Sequence, residues 1–147
     1  MKLPLVAVLS VCATPALASG GLSCAAKTTQ ASLEIQSGVT HGMGSPLFNF
    51  RGSAQIAAKS VAAYLRKIAF EQGNVAQYWL DARELRLVVY REREGSQPHG
   101  YVEVTILAKA AGDEGKYKGT FALTAYDTAG DRERTHKAGG RVSCFVE

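Results

Sequence analysis

The sequence has little of what catalytic and metal-binding proteins usually display. Its 147 residues contain three histidines and three cysteines. None of them forms a CxxC or HxxxH pair of the kind that binds zinc. The sequence also contains no GxSxG or SxxK motif, which mark the nucleophilic serine of two hydrolase classes. We therefore expect no metal site and no cofactor, and we identify no catalytic residue.

Long apolar runs are also absent, except at the N-terminus. Lys2 precedes an apolar stretch at 3–13, and Pro15 ends it. Ala16 and Ala18 then supply the small residues at −3 and −1 of a cleavage site before Ser19. This layout predicts a secretory signal peptide over 1–18. No later stretch approaches the ~20 apolar residues that a membrane-spanning helix needs, so we predict no integral membrane segment.

The N-terminal segment admits one alternative, an acylated lipoprotein. The residues from Leu9 to Cys12 have the outline of a lipobox, but Val11 stands where a small residue is required. We therefore favour a cleaved signal peptide and leave open whether Cys12 is ever lipidated. The remaining residues, 19–147, form a single β-rich domain of a size that buries its own core. The predicted location is the periplasm, or the outside of the cell.

Only two cysteines remain after cleavage, Cys24 and Cys144, one near each end of the mature chain. Exported proteins fold in an oxidising compartment, where such pairs form disulfide bonds. Two cysteines allow a single intramolecular bridge. We therefore predict a disulfide bond between Cys24 and Cys144.

The charged residues do not favour a nucleic-acid partner. Seventeen Lys and Arg residues stand against 13 Asp and Glu residues, which gives a formal net charge of +4 at pH 7. A nucleic-acid site needs positive charge concentrated along one groove. Here acidic residues such as Glu84, Glu92 and Glu94 lie among the arginines. An envelope protein or an envelope glycan is the expected partner, and the sequence does not define the oligomeric state.

Most of the chain alternates between apolar and polar residues, which is typical of half-buried strands. Residues 32–36, 47–56, 75–94, 102–108, 117–125 and 141–146 show this pattern. Segment 75–94 predicts a hairpin, which brings the total to seven or eight strands. Clean one-sided alternation is the mark of antiparallel sheets. Within segment 47–56, Phe48 and Phe50 belong to the apolar file, and Gly52 interrupts it as a β-bulge or a close backbone approach would.

The hairpin over 75–94 has a tip at Ala82 and Arg83. In that register Leu80 faces Leu85, Tyr78 faces Leu87 and Ala76 faces Val89, all on the buried face. The opposite face carries the polar residues together with Trp79, Arg86 and Tyr90. We predict that the buried side shares one core with the apolar files of the two following strands.

The remaining segments are predicted to be irregular or helical. Val61 and Leu65 have helical spacing, which predicts a short helix at 59–67. We expect a flexible lead-in at 19–21, a glycine-rich loop at 38–45 and a polar loop at 127–140. The predicted fold is all-β, an antiparallel barrel or sandwich with one short helix. The alternative is an α+β fold in which a single antiparallel sheet packs on a helix.

Two regions are candidate binding sites. The first is the predicted outer face with Trp79, Arg86 and Tyr90, since exposed aromatic and arginine side chains are enriched at interfaces. The second is the glycine-rich loop with His41 and Met43. Because the core files are bulky, we expect no deep ligand cavity inside a barrel.

These features favour a non-catalytic envelope protein that binds another envelope macromolecule and helps to maintain the envelope. One alternative is a small exported hydrolase that uses His41 or His99 with a carboxylate. Another is an inhibitor of a lysozyme-type enzyme. The positive charge of the chain counts against that second alternative, because lysozymes are usually basic.

Overall fold

The computed structural model describes residues 19–96, 98–130 and 132–147. The predicted signal peptide at 1–18, with Cys12, therefore lies outside the described residues. The described chain forms nine strands: β1 Ser19–Lys27, β2 Ala31–Thr40, β3 Leu47–Ile56, β4 Lys67–Glu71, β5 Val75–Leu80, β6 Glu84–Glu92, β7 Gly100–Ala110, β8 Lys116–Asp127 and β9 Arg134–Val146. The expected all-β architecture is confirmed, with nine strands instead of seven or eight.

All nine strands form one antiparallel sheet in the order β4-β3-β2-β1-β9-β8-β7-β6-β5. Strands β4 and β5 are neighbours in the chain, joined by the short 3₁₀ turn Gln72–Asn74, yet they lie at opposite ends of this order. The sheet therefore curls round until its two edges meet. The result is a nearly closed barrel, with one side of each strand facing the interior and the other facing outwards.

Side chains add hydrogen bonds at the end of β4 and across the seam where the two edges meet. The Gln72 side-chain oxygen accepts a hydrogen bond from the Phe50 backbone N–H at 3.0 Å, and its Nε2 donates to the Leu47 carbonyl at 3.3 Å. From the other edge, the Arg91 guanidinium donates to the Ala69 carbonyl. Gln72 thus extends the pairing of the neighbouring strands β3 and β4, whereas the Arg91 bond joins β6 to β4 across the seam.

The barrel interior is filled by apolar side chains from every strand except β5, whose inward residues lie half-buried against the core. Leu85, Leu87 and Val89 of β6 have no measurable exposure. They pack in one cluster with the predicted files of β7 and β8, which confirms that part of the core. Tyr78 and Leu80 belong to the same face of the hairpin but remain half-buried at the sheet edge.

The predicted hairpin register is confirmed over most of its length. Tyr78 pairs with Leu87, and Leu80 pairs with Leu85. The register then shifts between Val75 and Gln77, so that Val75 instead of Ala76 faces Val89. Val75, the larger apolar residue, thus takes the position opposite Val89 that was predicted for Ala76, and Ala76 is exposed.

Strand β3 contains a similar irregularity that overturns one expectation. The register with β2 shifts between Gln36 and Gly38, opposite Asn49, whose φ of 52° lies in the left-handed region. The shift reverses the inside–outside alternation, so Phe48 lies on the outer surface against Gly38 while Phe50 is buried. Gly52 is a close approach and not the bulge, since a Cβ there would lie 3.3 Å from the Ile35 side chain.

The predicted helix at 59–67 is wrong. The connection from β3 to β4 contains only a single 3₁₀ turn, Ala63–Leu65, without a side-chain N-cap. Val61 and Leu65 are nevertheless buried, as their spacing indicated. Both side chains are buried because the chain crosses one end of the barrel. Their burial therefore does not require a helix with an apolar face.

Three further segments are more regular than predicted. Residues 19–21 belong to β1 and are not a lead-in, and β2 extends to Thr40, which shortens the glycine-rich loop to 41–46. Strand β9 starts at Arg134, so the polar loop covers only 128–133. The predicted strand at 141–146 is the end of this longer strand.

The disulfide bond is confirmed. Cys24 of β1 and Cys144 of β9 are directly paired across the two strands, with their Cα atoms 4.1 Å apart. Both side chains are buried in the core. Within the described ranges, no helix has the length and apolar character needed to cross a membrane.

Candidate binding face

The outer face of strands β5 to β7 carries a row of three side chains that we call the Trp79 row. Arg86 of β6 lies between Trp79 of β5 and Leu107 of β7, because it is the register partner of both. Trp79 is 55% exposed and Leu107 is 53% exposed. Two large apolar side chains therefore flank a cationic one in an unburied row.

The hairpin tip next to this row is held by Asp81. Its Oδ1 accepts hydrogen bonds from the backbone N–H groups of Arg83 at 2.7 Å and Glu84 at 2.8 Å. These bonds lower the pKa of the Asp81 carboxyl. Its second oxygen accepts a bond from the Trp79 indole at 3.3 Å. The indole is thereby oriented along the surface while its ring remains exposed.

Arg86 is held from the same side. Its guanidinium forms an ion pair with Glu84, with an N–O distance of 2.9 Å, on the exposed surface of β6. Exposed pairs of this kind contribute little to stability. The pair restricts the rotamers of Arg86, and its remaining N–H groups face solvent beside the indole.

Tyr90 belongs to a second cluster on the same sheet, which we call the tyrosine strip: Tyr90, Tyr101, Tyr126 and His99. The Tyr90 and Tyr101 ring centroids are 5.2 Å apart, and those of Tyr101 and Tyr126 are 5.4 Å apart. His99 lies 5.8 Å from Tyr126 and 6.1 Å from Tyr101. These separations are those of interacting aromatic pairs. The strip crosses β6, β7 and β8 near the 93–99 loop.

A row of small side chains separates the two clusters. Val88, Thr105 and Ala122 are register partners on adjacent strands. Arg86 and Tyr90 are four residues apart on β6, which is ~13 Å along a strand. The structure therefore brings Trp79 and Arg86 together but places Tyr90 in a separate group.

Carboxylates lie round the tyrosine strip. Burial raises the pKa of the Tyr90 hydroxyl, and the nearby Glu92 and Glu103 carboxylates raise it further. Burial likewise raises the pKa of Tyr126, with a further contribution from Glu133. Glu92 also accepts an interaction from His99 Nδ1 at 3.1 Å. The strip is thus an aromatic surface with an acidic border.

The other two predicted binding residues lie elsewhere. His41 and Met43 occupy the loop between β2 and β3, and the Met43 side chain is fully exposed. His41 Nε2 lies next to Gly20 at the start of β1. This loop follows β2, which is separated from β6 by β1, β9, β8 and β7 in the sheet order. The two candidate regions are therefore distinct surfaces.

A cavity of about 310 Å³ at one end of the barrel bears on the hydrolase alternative. Its lining includes Ser60, Asp127 and His136. Asp127 is 2% exposed and accepts a hydrogen bond from the Ala129 backbone N–H at 3.1 Å. Within the described part of the chain, His136 Nε2 is buried without a hydrogen-bond partner. Nucleophilic catalysis needs a hydrogen-bonded nucleophile and base, and the unpaired His136 Nε2 makes no such bond to Ser60 or Asp127.

The two histidines that we considered for a hydrolase lie outside this cavity. His99 pairs with Glu92 on the surface, with both side chains about half exposed. Over the residues that the structure describes, no group of three or more His, Cys, Asp or Glu side chains is arranged to hold a metal ion. The arrangement on the outer face is suited to contacts with a large partner.

Sequence reasoning missed several members of these clusters, namely Leu107, Tyr101 and Tyr126. Leu107 occupies an outward position of a predicted strand, and Tyr101 and Tyr126 lie one residue beyond the predicted strands 102–108 and 117–125, in the outward phase of the same alternation. An apolar or aromatic residue in the polar file of an amphipathic strand marks an exposed contact surface. Placing these residues in their clusters required the cross-strand register, which the sequence of a single strand does not give.

Neither a protein-family model, nor a curated protein sequence, nor a solved structure matches this chain in the comparisons with known proteins.

Proposed function

We propose that this protein is a non-catalytic component of the bacterial cell envelope that is exported to the periplasm and binds another envelope macromolecule. The binding surface is the outer face of β5 to β8, centred on the Trp79 row. The sequence at 1–18 supports export. So does the disulfide bond between Cys24 and Cys144, because such bonds persist in oxidising compartments.

The exposure of the Trp79 row is the observation that carries the proposal. Tryptophan is highly buried on average in folded proteins, whereas Trp79 is more than half exposed. Tryptophan and arginine are also the residues most enriched among those that dominate binding energy. An exposed Trp–Arg–Leu row on a rigid sheet provides an anchor, a charge and an apolar contact within one small area.

Rigid placement strengthens this interpretation. Trp79 is tied to the hairpin tip by its indole N–H, and Arg86 is tied to Glu84. Side chains already fixed in one conformation lose less entropy on binding, so a preorganised surface binds more tightly. Exposing Trp79 and Leu107 to water is unfavourable for the folded protein, and a purely structural role would not require it.

The test is a double substitution, Trp79→Ala with Arg86→Ala. Tagged protein is incubated with a bacterial envelope extract, and separately with purified peptidoglycan and with lipopolysaccharide vesicles. Bound proteins are quantified by mass spectrometry and bound glycan by sedimentation. We expect at least a tenfold loss of one partner, with an unchanged melting temperature because both residues lie outside the core.

The matched control is Phe145→Ala with Arg51→Ala, which also removes an exposed aromatic and an exposed arginine from the barrel surface. It should retain the partner. Equal recovery of every partner by the wild type and the Trp79 variant would refute the proposed binding face. A large drop in melting temperature without loss of partner would show that Trp79 is a structural residue.

A further inference from the structure

The tyrosine strip is an acidic region on a basic protein. The chain has a formal net charge of +4 at pH 7, yet the carboxylates nearest the strip are Glu92, Glu103 and Glu133. Lys137 occupies the same cross-strand row as Glu103, two strands away on β9. The arginines on either side of Glu92 are engaged elsewhere, Arg91 with the Ala69 carbonyl and Arg93 over the Tyr64 ring, so the carboxylates outnumber the lysine in the rows of the strip.

Two properties of the strip favour the same kind of ligand. The faces of aromatic rings attract ammonium and guanidinium groups. Carboxylates form strong charge-assisted hydrogen bonds with those same groups. An anionic glycan would bring its own negative charge against Glu92, Glu103 and Glu133, which opposes binding. The charge complementarity therefore selects a cationic partner.

We propose that the tyrosine strip binds a lysine- and arginine-containing segment of a partner polypeptide. The inference rests on the proposed function, because it names the partner class for the same sheet. The Trp79 row would then supply the apolar anchor, and the tyrosine strip would supply the recognition of positive charge.

The dimensions of the strip fit an extended basic segment. The centroid spacings of 5.2 and 5.4 Å make the strip from Tyr90 to Tyr126 no longer than about 11 Å. Side chains on one face of an extended chain recur every ~7 Å. Two cationic side chains, two residues apart, can thus lie over the rings at once, with their charged ends within reach of the bordering carboxylates.

The experiment measures the binding of defined probes to the whole exported protein by isothermal titration calorimetry in 150 mM salt. The probes are a decapeptide of alternating lysine and serine, a second in which glutamate replaces lysine, and a soluble chito-oligosaccharide. We expect the lysine peptide to bind, and the glutamate peptide and the sugar to show no heat of binding.

Three variants locate the site. Tyr101→Leu removes the central ring but keeps an apolar side chain, and Glu103→Gln removes one charge without changing shape. Each should weaken binding of the lysine peptide at least fivefold. Glu34→Gln, an equivalent change on the outer face of β2, should change the dissociation constant less than twofold.

The aromatic contribution separates this site from a general attraction between opposite charges. If Tyr101→Leu and Glu34→Gln both leave the affinity for the lysine peptide unchanged, the strip is not the binding surface. Should Tyr101→Leu fail to fold, Tyr126→Leu, which removes the neighbouring ring of the strip, provides the same decision. Binding of the sugar with no binding of the lysine peptide would also overturn the proposal.

The outcome is distinguishable from that of the proposed function. The Trp79→Ala, Arg86→Ala variant leaves the tyrosine strip intact and should still bind the lysine peptide within threefold of the wild type. Loss of envelope partner in that variant, together with a failure of the lysine peptide to bind the wild type, would retain the proposed function and refute this inference alone.

Discussion

At the scale of single residues, the Tyr78 hydroxyl is one of the buried polar groups that lack a hydrogen-bond partner among the described residues. Tyr78 lies on the inner side of β5, and its oxygen is buried without a hydrogen-bond partner among the described residues. A buried hydroxyl that lacks a partner loses its hydration without compensation. The Tyr78 ring therefore stabilises the folded protein by packing, whereas its buried hydroxyl destabilises it and leaves a measurable signature.

That signature is an altered titration. Burial raises the pKa of Tyr78 from 10.0 to about 12, and the neighbouring Tyr117 adds to the shift. The unfolded chain consequently releases this proton first. The free energy of unfolding should fall as the pH rises from about 10 to about 12, because over that interval the unfolded state binds fewer protons than the folded state.

Tyr78→Phe tests this assignment. Absorbance titration of the folded variant should lack one ionisation near pH 12, and its stability should fall less between pH 10 and 12 than that of the wild type. At pH 7 the variant should be as stable as the wild type within ~0.5 kcal/mol, or slightly more stable, since no hydrogen bond is lost. An unchanged titration near pH 12 would place the buried hydroxyl elsewhere.

At the scale of elements, Gln72 lengthens the pairing between β4 and β3. This residue follows β4 and continues its pairing with β3 through its side-chain amide, which contacts the Phe50 N–H and the Leu47 carbonyl. Replacement by alanine leaves the partly buried Phe50 N–H without a partner. A lost partner of this kind costs ~1–3 kcal/mol.

Chemical denaturation provides the measurement. Gln72→Ala should lower the free energy of unfolding by ~1–2 kcal/mol, because the Phe50 N–H and the Leu47 carbonyl both lose their side-chain partner. Gln77→Ala, on the exposed outer side of β5, should change stability by less than ~0.5 kcal/mol. Equal stabilities of the Gln72→Ala and Gln77→Ala variants would show that the amide does not stabilise the pairing between β4 and β3.

The elements also show how far the sequence alone defines this fold. The register of β5 and β6, and the buried files of β7 and β8, could be predicted because large apolar residues occupy every second position. Strand β1 escaped prediction since its inward residues include Cys24 and Ala26, which give weak periodicity. The first half of β9 has His136, Ala138 and Gly140 at inward positions, and these residues do not form the apolar pattern that is typical of a buried strand face.

The errors at β3 and in the predicted helix at 59–67 have separate local causes. A register shift opposite Asn49 reverses the alternation, and nothing in the local composition announces it. Val61 and Leu65 are buried, as predicted, but by crossing the end of the barrel. For the candidate site, sequence identified Trp79 and Arg86 as neighbours, whereas the tyrosine strip required the pairing of three strands.

At the scale of the whole molecule, the pairings of β9 with its two neighbouring strands differ greatly in length. Strands β8 and β9 pair along twelve residue positions, but β1 and β9 pair only at Leu22–Ala25 with Ser143–Val146. We call this short β1–β9 pairing the joint. It connects strands β1–β4 to strands β5–β9, on the side of the barrel opposite the seam between the sheet edges. The disulfide bond lies within it and spans a sequence separation of 120 residues.

The disulfide bond should therefore control the opening of the whole barrel. In the chain-entropy account, a loop of this length stabilises the folded state by ~4–5 kcal/mol. Cys24→Ala with Cys144→Ala should lower the free energy of unfolding by a similar amount, and chemical reduction of the wild type should reproduce the loss. The exported wild type should contain no alkylatable thiol from either residue before reduction.

Hydrogen exchange should reveal where the molecule opens. In the double alanine variant, amides of β1 and of the end of β9 should lose protection first, while β7 and β8, held by eleven paired positions, should retain it longest. The tyrosine strip lies on β6 to β8, so lysine-peptide binding should survive conditions that open the joint. If protection falls uniformly in all strands, the short joint is not a separate opening unit, and the barrel unfolds as one cooperative whole.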